Sequence, residues 1–491
     1  MSAAAMNGPA INRTAINAVG THSAVGAAAR QVRIPFPVTM LLLYLAAITV
    51  IGKGPTYLGV PPLFWGEMVM LTTVAWTVSR RGFARLLTSR PREISTLLML
   101  YMGLGAALTA FWLPTWKMAA VRDAAVWFYA IFFAVGITIA EDDPLGDRVW
   151  IWLRRFFIVA LVWNTANYLT GEKLSTMGPL VPFRGVPLLS NSREEPLQHL
   201  AMGFVLVLAT NMFRGRPITR AFLSIVSMAG FVFFMLSEAR GVKVGFALGV
   251  MAVVALGLAP GRKTPLASRT TAGIVLGCIV LVLVLGVANI DFGEAMHADR
   301  VKDLGDMSTE GTAYWRLVWW KGLFREVMAK DPLFGLGFGV NLSDYSPILS
   351  IDPGEHDAGF PVRSPHNINM TVFSRMGLVG AVIWVALLAT SLGGLFLRIW
   401  RGRAQGVPYT PERREELQFW ILMLLTTWGD SSFAVLMEGP VMAIWFWFAL
   451  GFSTGRSLTP GTETDAAVSL VGTVRKGNRL ARPLRTAAYE S

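Results

Sequence analysis

Apolar residues in this chain come in runs, and polar residues collect in the gaps between them. The runs fall at roughly 37–52, 62–79, 94–113, 122–140, 151–170, 199–213, 221–237, 241–259, 272–290, 367–397, 417–436 and 439–454. Most approach the roughly 17–25 residues that carry a helix across the hydrocarbon core of a bilayer. The 367–397 run is long enough to tilt or to continue past the membrane. The pattern predicts an all-α polytopic membrane protein with about twelve spans. One stretch outside these runs also has a helical period. In AYWRLVWWKGLFREVMAK, 313–330, apolar positions recur at spacings near three and four, and Arg316, Lys321, Arg325 and Lys330 supply a basic face. Such a Trp-rich basic helix lies naturally in a membrane interface. Pro332 ends it, and Gly335, Gly337 and Gly339 predict a tight turn. That GLGFG stretch follows a helix, whereas a dinucleotide-binding loop follows a strand.

Composition supports the same class. Of 491 residues 53% are hydrophobic and 15% charged, against about 25% charged in soluble domains. The net charge of +13 does not require a nucleic-acid partner, because basic residues mark the cytoplasmic loops of membrane proteins. With the N-terminus inside, the inner segments hold Arg80, Arg81, Arg85, Arg90 and Arg92, then Arg214, Arg216 and Arg220, then Arg262, Lys263 and Arg269, then Arg398, Arg401, Arg403, Arg413 and Arg414. Both termini are then cytoplasmic. Residues 1–36 and 455–491 read as disordered polar tails, and 37–454 as a single transmembrane helical domain. Two outer loops are expected, 171–198 and 291–366, the second holding the amphipathic helix. The single cysteine, Cys278, excludes an intrachain disulfide and reads as a packed thiol.

In this topology the chemically useful residues gather on the outer side. SEARG, 237–241, sets Arg240 at a bilayer boundary with Lys243 one turn on, and a guanidinium fork suits phosphate oxygens as well as it suits an anchoring role. Arg316 lies on the amphipathic helix, either as an anion ligand or as part of a solvated face. His366 and Asn367 stand at the mouth of the 367–397 run: histidine accepts protons near neutral pH, and asparagine caps helices. The acids Glu310, Glu355, Asp357, Glu194 and Glu195 show no pairing that prefers one of them. His356, Asp357 and His366 lack the short regular spacing of a zinc motif, so neither metal nor cofactor is expected. Clustered cations beside a membrane fit an anionic lipid headgroup, such as a polyprenyl diphosphate.

Three passages together resemble the bacterial O-antigen ligase and O-antigen polymerase superfamily. They are SEARG at 237–241, YWRLVWWKGLFREVMAKDPLFGLGFG at 314–339, and SPHN at 364–367 with SRMGLVG at 374–380. The resemblance covers roughly 220–400. It implies a GT-C-like helical fold with a large periplasmic loop, seated in the bacterial inner membrane. It implies metal-independent transfer of a glycan from undecaprenyl diphosphate to a hydroxyl of lipid A core, another glycan or another acceptor. By the same resemblance Arg240 and Arg316 hold the diphosphate and His366 takes or orients the acceptor's proton. Lys243, Lys321, Asn367 and Arg375 are further candidates for substrate contact. Arg375 lies nine residues past His366, about 13 Å deeper along a helix, where a cation needs a partner. Glu67 and Asp430 are the acids expected to supply it, and Gly377 and Gly380 are expected to let helices approach closely. A transporter or flippase for lipid-linked saccharides is the alternative, although such folds carry repeated halves and midplane charges. A membrane-impermeant cysteine label placed within 291–366 is expected to react from the outside in intact cells. Reaction only after permeabilisation would remove the enzyme reading, whose acceptors lie outside.

Overall fold

The computed structural model describes residues 33–60, 63–81, 91–171, 173–181, 187–189, 195–209, 217–237, 240–258, 311–345, 364–404, 409–433, 437 and 439–458. The expected 272–290 span, Cys278, Glu310, Glu355, His356, Asp357 and both distal tails lie outside the described residues. The chain divides into a short N-terminal unit, Met1–Pro35, and one unit, Phe36–Ser491, which holds the described helices.

In order, these are α1 Phe36–Val50, α2 Trp65–Arg81, α3 Arg92–Trp116, α4 Met118–Asp123, α5 Ala125–Phe128, α6 Ile131–Ala140, α7 Asp143–Leu169 and α8 Lys173–Thr176. Then follow α9 Glu195–Ala209, α10 Pro217–Leu236, α11 Arg240–Leu258, α12 Gly311–Lys330, α13 Ile368–Leu388, α14 Gly394–Ala404, α15 Pro411–Ser431 and α16 Pro440–Leu458. A two-residue antiparallel hairpin, β1 Gly59–Val60 with β2 Leu63–Phe64, joins α1 to α2. Among the described residues, four helical stretches are long and apolar enough to cross a membrane: Arg92–Trp116, Met118–Ala140, Asp143–Leu169 and Ile368–Gly402. Four shorter apolar helices accompany them: Phe36–Val50, Gln198–Val207, Ala221–Leu236 and Gly241–Leu256. The expected 122–140 span is broken into α4, α5 and α6, and the long 367–397 run continues through a π-turn, Ala389–Gly393, into α14. α7 begins earlier than expected because Asp142 caps it, accepting from the Leu145 amide at 3.3 Å.

The core is built around α16, buried at every position from Val441 to Ser457. A side chain at Gly451 would overlap the carbonyl of Phe133, and one at Gly136 would come within 2.5 Å of the Phe448 carbonyl oxygen. The two glycines therefore let α6 and α16 touch backbone to backbone. Trp445, Trp447, Phe448 and Phe452 fill the rest of that helix's surroundings with Phe157, Tyr101, Trp384 and Trp420. One end of the bundle is closed by charges. Arg456 donates to Glu416 at 3.0 Å and Asp143 at 3.1 Å and pairs with Asp147, while Arg413 reaches Asp143 at 3.3 Å. Buried guanidinium groups persist only when paired in this way. The other end of α15, at Asp430, lies about 21 Å away at helical rise.

The turn after α12 is built into α13. Asp331 starts it by accepting from the Leu333 and Phe334 amides at 3.1 and 3.0 Å. Gly335, Gly337 and Gly339 all take the left-handed region, with φ of 77°, 85° and 94°. Opposite them, Gly377 takes φ 63° in the middle of α13 and breaks its ladder. The expectation of Gly377 as a helix-packing glycine is corrected here: it is a break. The amides freed by the break donate to the turn, Leu378 to Pro332 at 2.9 Å and Val379 to Leu333 at 3.2 Å. The freed carbonyl of Ser374 accepts from the Leu336 amide at 2.7 Å. Each such bond is worth about 0.5–1.5 kcal/mol net, and a buried orphan would cost about 1–3. α12 lays Trp319, Leu323 and Val327 against Leu336, Leu342 and Phe373. Fully burying each of these side chains contributes about 1.5–3 kcal/mol.

Gly377→Ala is expected to cost about 1–2 kcal/mol from the left-handed backbone alone. Overlap with the Leu333 backbone adds to this. Gly393, with nothing near its missing side chain, is the control, and Gly393→Ala should leave thermal unfolding in detergent unchanged.

Candidate functional site

Four segments meet beyond the end of α15. The polar triplet Asp430–Ser432 terminates that helix, with Ser432 donating its hydroxyl to the Trp428 carbonyl at 2.9 Å. Asn369, in the first turn of α13, donates to the Ser432 hydroxyl at 3.0 Å. It accepts in turn from the indoles of Trp384 and Trp428, at 3.0 and 3.3 Å. This fixes the start of α13 against the end of α15. α11 begins at the same place: a side chain at Gly241 would stand 2.9 Å from Asp430 Oδ1 and 3.0 Å from Phe433 Cβ.

α12 lies across this junction. Arg316 Nη1 donates to the Phe433 carbonyl at 2.7 Å. One turn on, the Trp320 indole donates to the Pro365 carbonyl at 2.7 Å, and its ring lies 6.3 Å from that of Phe433. Trp319 donates to the Leu342 carbonyl at 3.1 Å and presents its ring edge-to-face to His366 at 6.4 Å. The loop 364–367 is thus held from both sides. Its histidine sits at φ 53°, a conformation uncommon for a residue with a side chain. The His366 amide donates to Ser364 Oγ at 3.2 Å. Asn367 caps α13 by accepting from the amides of Asn369 and Met370 at 2.9 and 3.2 Å.

The structure brings Arg316, His366 and the first residue of α11, Arg240, to one end of the bundle; the side chain of Arg240 lies outside the described set. Three other candidates stand elsewhere. Lys243 donates to the carbonyls of Met235 and Ser237, each at 2.7 Å, and so closes the C-terminus of α10. Lys321 is half-buried on α12, roughly 140° around the helix from Arg316. Arg375 is 2% exposed. Its partner is Asp123, at 2.7 Å, where Glu67 and Asp430 were expected. Glu67 instead accepts from the Tyr129 hydroxyl at 3.2 Å. Arg375 also donates to the carbonyls of Gly337 and Val340, at 3.0 and 2.5 Å, so its guanidinium is turned into the protein. Among the described residues, no group of three or more His, Cys, Asp or Glu is placed to hold a metal ion.

Phe433, Trp320, Asn369 and Asp123 were not singled out by the sequence pattern. Asn369 and the polar triplet DSS at 430–432, each inside or at the edge of an apolar run, were the available signals. Phe433 acts through its backbone, which no side-chain pattern encodes.

Burial, and then the neighbouring Arg316 charge, pull the His366 imidazole down from the ordinary 6.5 to about 4. It is neutral at physiological pH and so ready to accept a proton. Folded His366 binds its proton more weakly than an unfolded histidine does. Its contribution to stability is present above about pH 6.5 and is lost as the pH falls through about 4. With only five histidines in the chain, a titration followed by NMR, with His366→Gln to assign the signal, should show this midpoint. Arg316→Gln should move it upward, toward the ordinary value, and an unchanged midpoint would remove the electrostatic link between the two.

Residues 223–385 match a family model described as O-Antigen ligase. The matched stretch contains Arg240, Arg316 and His366, and leaves Phe433 and Asp123 outside it. No curated protein matches the chain. The family is one of O-antigen ligase-type glycan transfer. Over residues 223–385 the chain is thus similar to the O-antigen ligase family, and its apolar helices are those of a multi-pass membrane protein.

Proposed function

We propose that this chain is a membrane glycosyltransferase that moves a glycan from undecaprenyl diphosphate to an acceptor hydroxyl on the periplasmic side of the inner membrane. The observation that carries this reading is the pairing of a neutral, half-buried histidine with an arginine anchored through one Nη to the Phe433 carbonyl. A base and a cation beside each other are what displacement of a diphosphate needs. The acceptor oxygen attacks the anomeric carbon while His366 takes its proton. The bond from that carbon to the diphosphate oxygen breaks, and the electron pair leaves with the diphosphate. Arg316 and Arg240 stabilise the growing negative charge on the diphosphate. The indole–carbonyl bonds of Trp319 and Trp320 keep α12 from swinging as charge develops. In this reading the chemistry runs without a metal, and both termini face the cytoplasm.

In purified protein supplied with a polyprenyl-diphosphate-linked glycan, His366→Ala is expected to lower turnover by about 10²–10⁴-fold. Arg316→Ala is expected to lower it by about 10²–10³-fold. Arg316→Lys should recover only part of this, since a point charge cannot both hold the Phe433 carbonyl and offer a fork to phosphate. Full turnover in the His366→Ala protein would overturn the assignment of the base. Deletion of the gene followed by envelope-glycan analysis separates ligation from polymerisation: loss of all attached chains marks a ligase, and single-repeat products mark a polymerase.

A further inference from the structure

The two side chains of the proposed chemistry stand on separate arms. Arg316 is carried by α12. His366 is carried by the loop that opens the first half of α13, before the break at Gly377. Both arms run back to the turn at 331–340, which is tied to α13 by backbone bonds and, at one further point, by side chains that also reach α4. There Arg375, from the first half of α13, donates to the carbonyls of Gly337 and Val340. Asp123, the last residue of α4, accepts from Arg375 at 2.7 Å and from the Gly339 amide at 3.0 Å. The two side chains are 3% and 9% exposed, so water screens their attraction little. The turn is seated as well as bonded: side chains at Gly337 and Gly339 would overlap Trp112 and Trp116 of α3.

We propose that Asp123 and Arg375 form a latch that sets the position of α12, and with it Arg316, relative to His366, which makes them positioning residues for glycan transfer. This role rests on the transferase reading above, but the mechanical part does not. Four ties converge on one guanidinium and one carboxylate. Two of them hold the turn to α13, one holds the turn to α4, and one joins α13 to α4. Without them the turn keeps its backbone bonds to α13 and α12 keeps its indole bonds, but none of those bonds reaches α4, and the apolar contacts that remain are non-directional. A displacement of about 1 Å at a reacting group can cost about 10²-fold in rate.

The test uses three variants of the full chain. Asp123→Asn keeps an acceptor for Gly339 and removes the charge. Arg375→Lys keeps the charge and loses the fork. The double variant Asp123→Asn with Arg375→Met leaves no buried net charge, so its fold does not depend on an unpaired ion. Each is made in a Cys278→Ser background with spin labels at Val121→Cys on α4 and Ala329→Cys on α12, both exposed positions outside the latch. The expected result is a broadened α4–α12 distance distribution in all three. Turnover should fall about 10–100-fold while KM changes by less than about threefold. Unaltered distances, unaltered turnover in an active enzyme, or loss of the folded state in the double variant would each overturn the proposal. If the unmutated chain transfers no glycan, the transferase reading fails, and the label distances still decide whether the latch holds α12.

Discussion

A helix that crosses or enters a low-dielectric region must satisfy its own backbone, and α13 does not. At Gly377 its ladder stops, and the amides of Leu378 and Val379 and the carbonyl of Ser374 lose their helical partners. Leaving them bare would cost several kcal/mol together. The turn after α12 takes up all three. The turn can do this only because three of its glycines accept a left-handed backbone. The dependence is mutual: the turn and the break supply each other's backbone partners. Everything at the candidate site hangs from that joint. It fixes where α12 starts back across the bundle, how the indoles of Trp319 and Trp320 reach the carbonyls of Leu342 and Pro365, and where Arg316 meets Phe433.

The helical architecture was legible because apolar runs report it directly. α3, α10, α11 and α13 lie close to their expected places, and the amphipathic stretch at 313–330 is α12 with one face buried. What the pattern could not show was how the elements interlock. Gly377 reads as a packing glycine in a line of sequence, because its φ depends on a turn more than thirty residues earlier. Arg375 was read as needing a partner, and it has one, but Asp123 is about 250 residues away in a short helix that periodicity had folded into a continuous span. The choice among acids was a question of tertiary placement, so Glu67 and Asp430 were equally good guesses from the sequence.

The site itself was half legible. His366 and Arg316 were visible as chemistry-bearing residues in a sparse polar background. Their electrostatic relation was not, since it arises from burial and proximity. Burial and then the arginine lower the proton affinity of the histidine, which keeps the imidazole neutral. In the proposed displacement the same cation also stabilises the charge on the diphosphate. Lys243 illustrates the opposite case: it looked equivalent to Arg240 by position, but closing the C-terminus of α10 occupies its ammonium.

The burial of α16 on all sides bears on how the molecule comes into being. The last of the described helices is also the innermost, so the bundle is wound around a mast that leaves the ribosome after its surroundings. Until it arrives, the glycine face of α6 and the carboxylates of α7 and α15 that hold Arg456 have no occupant to close upon. α15, whose end leads into Phe433, packs on α16 as well as on α11. The charges around Arg456 that close one end of the bundle are therefore completed by the last of the described helices.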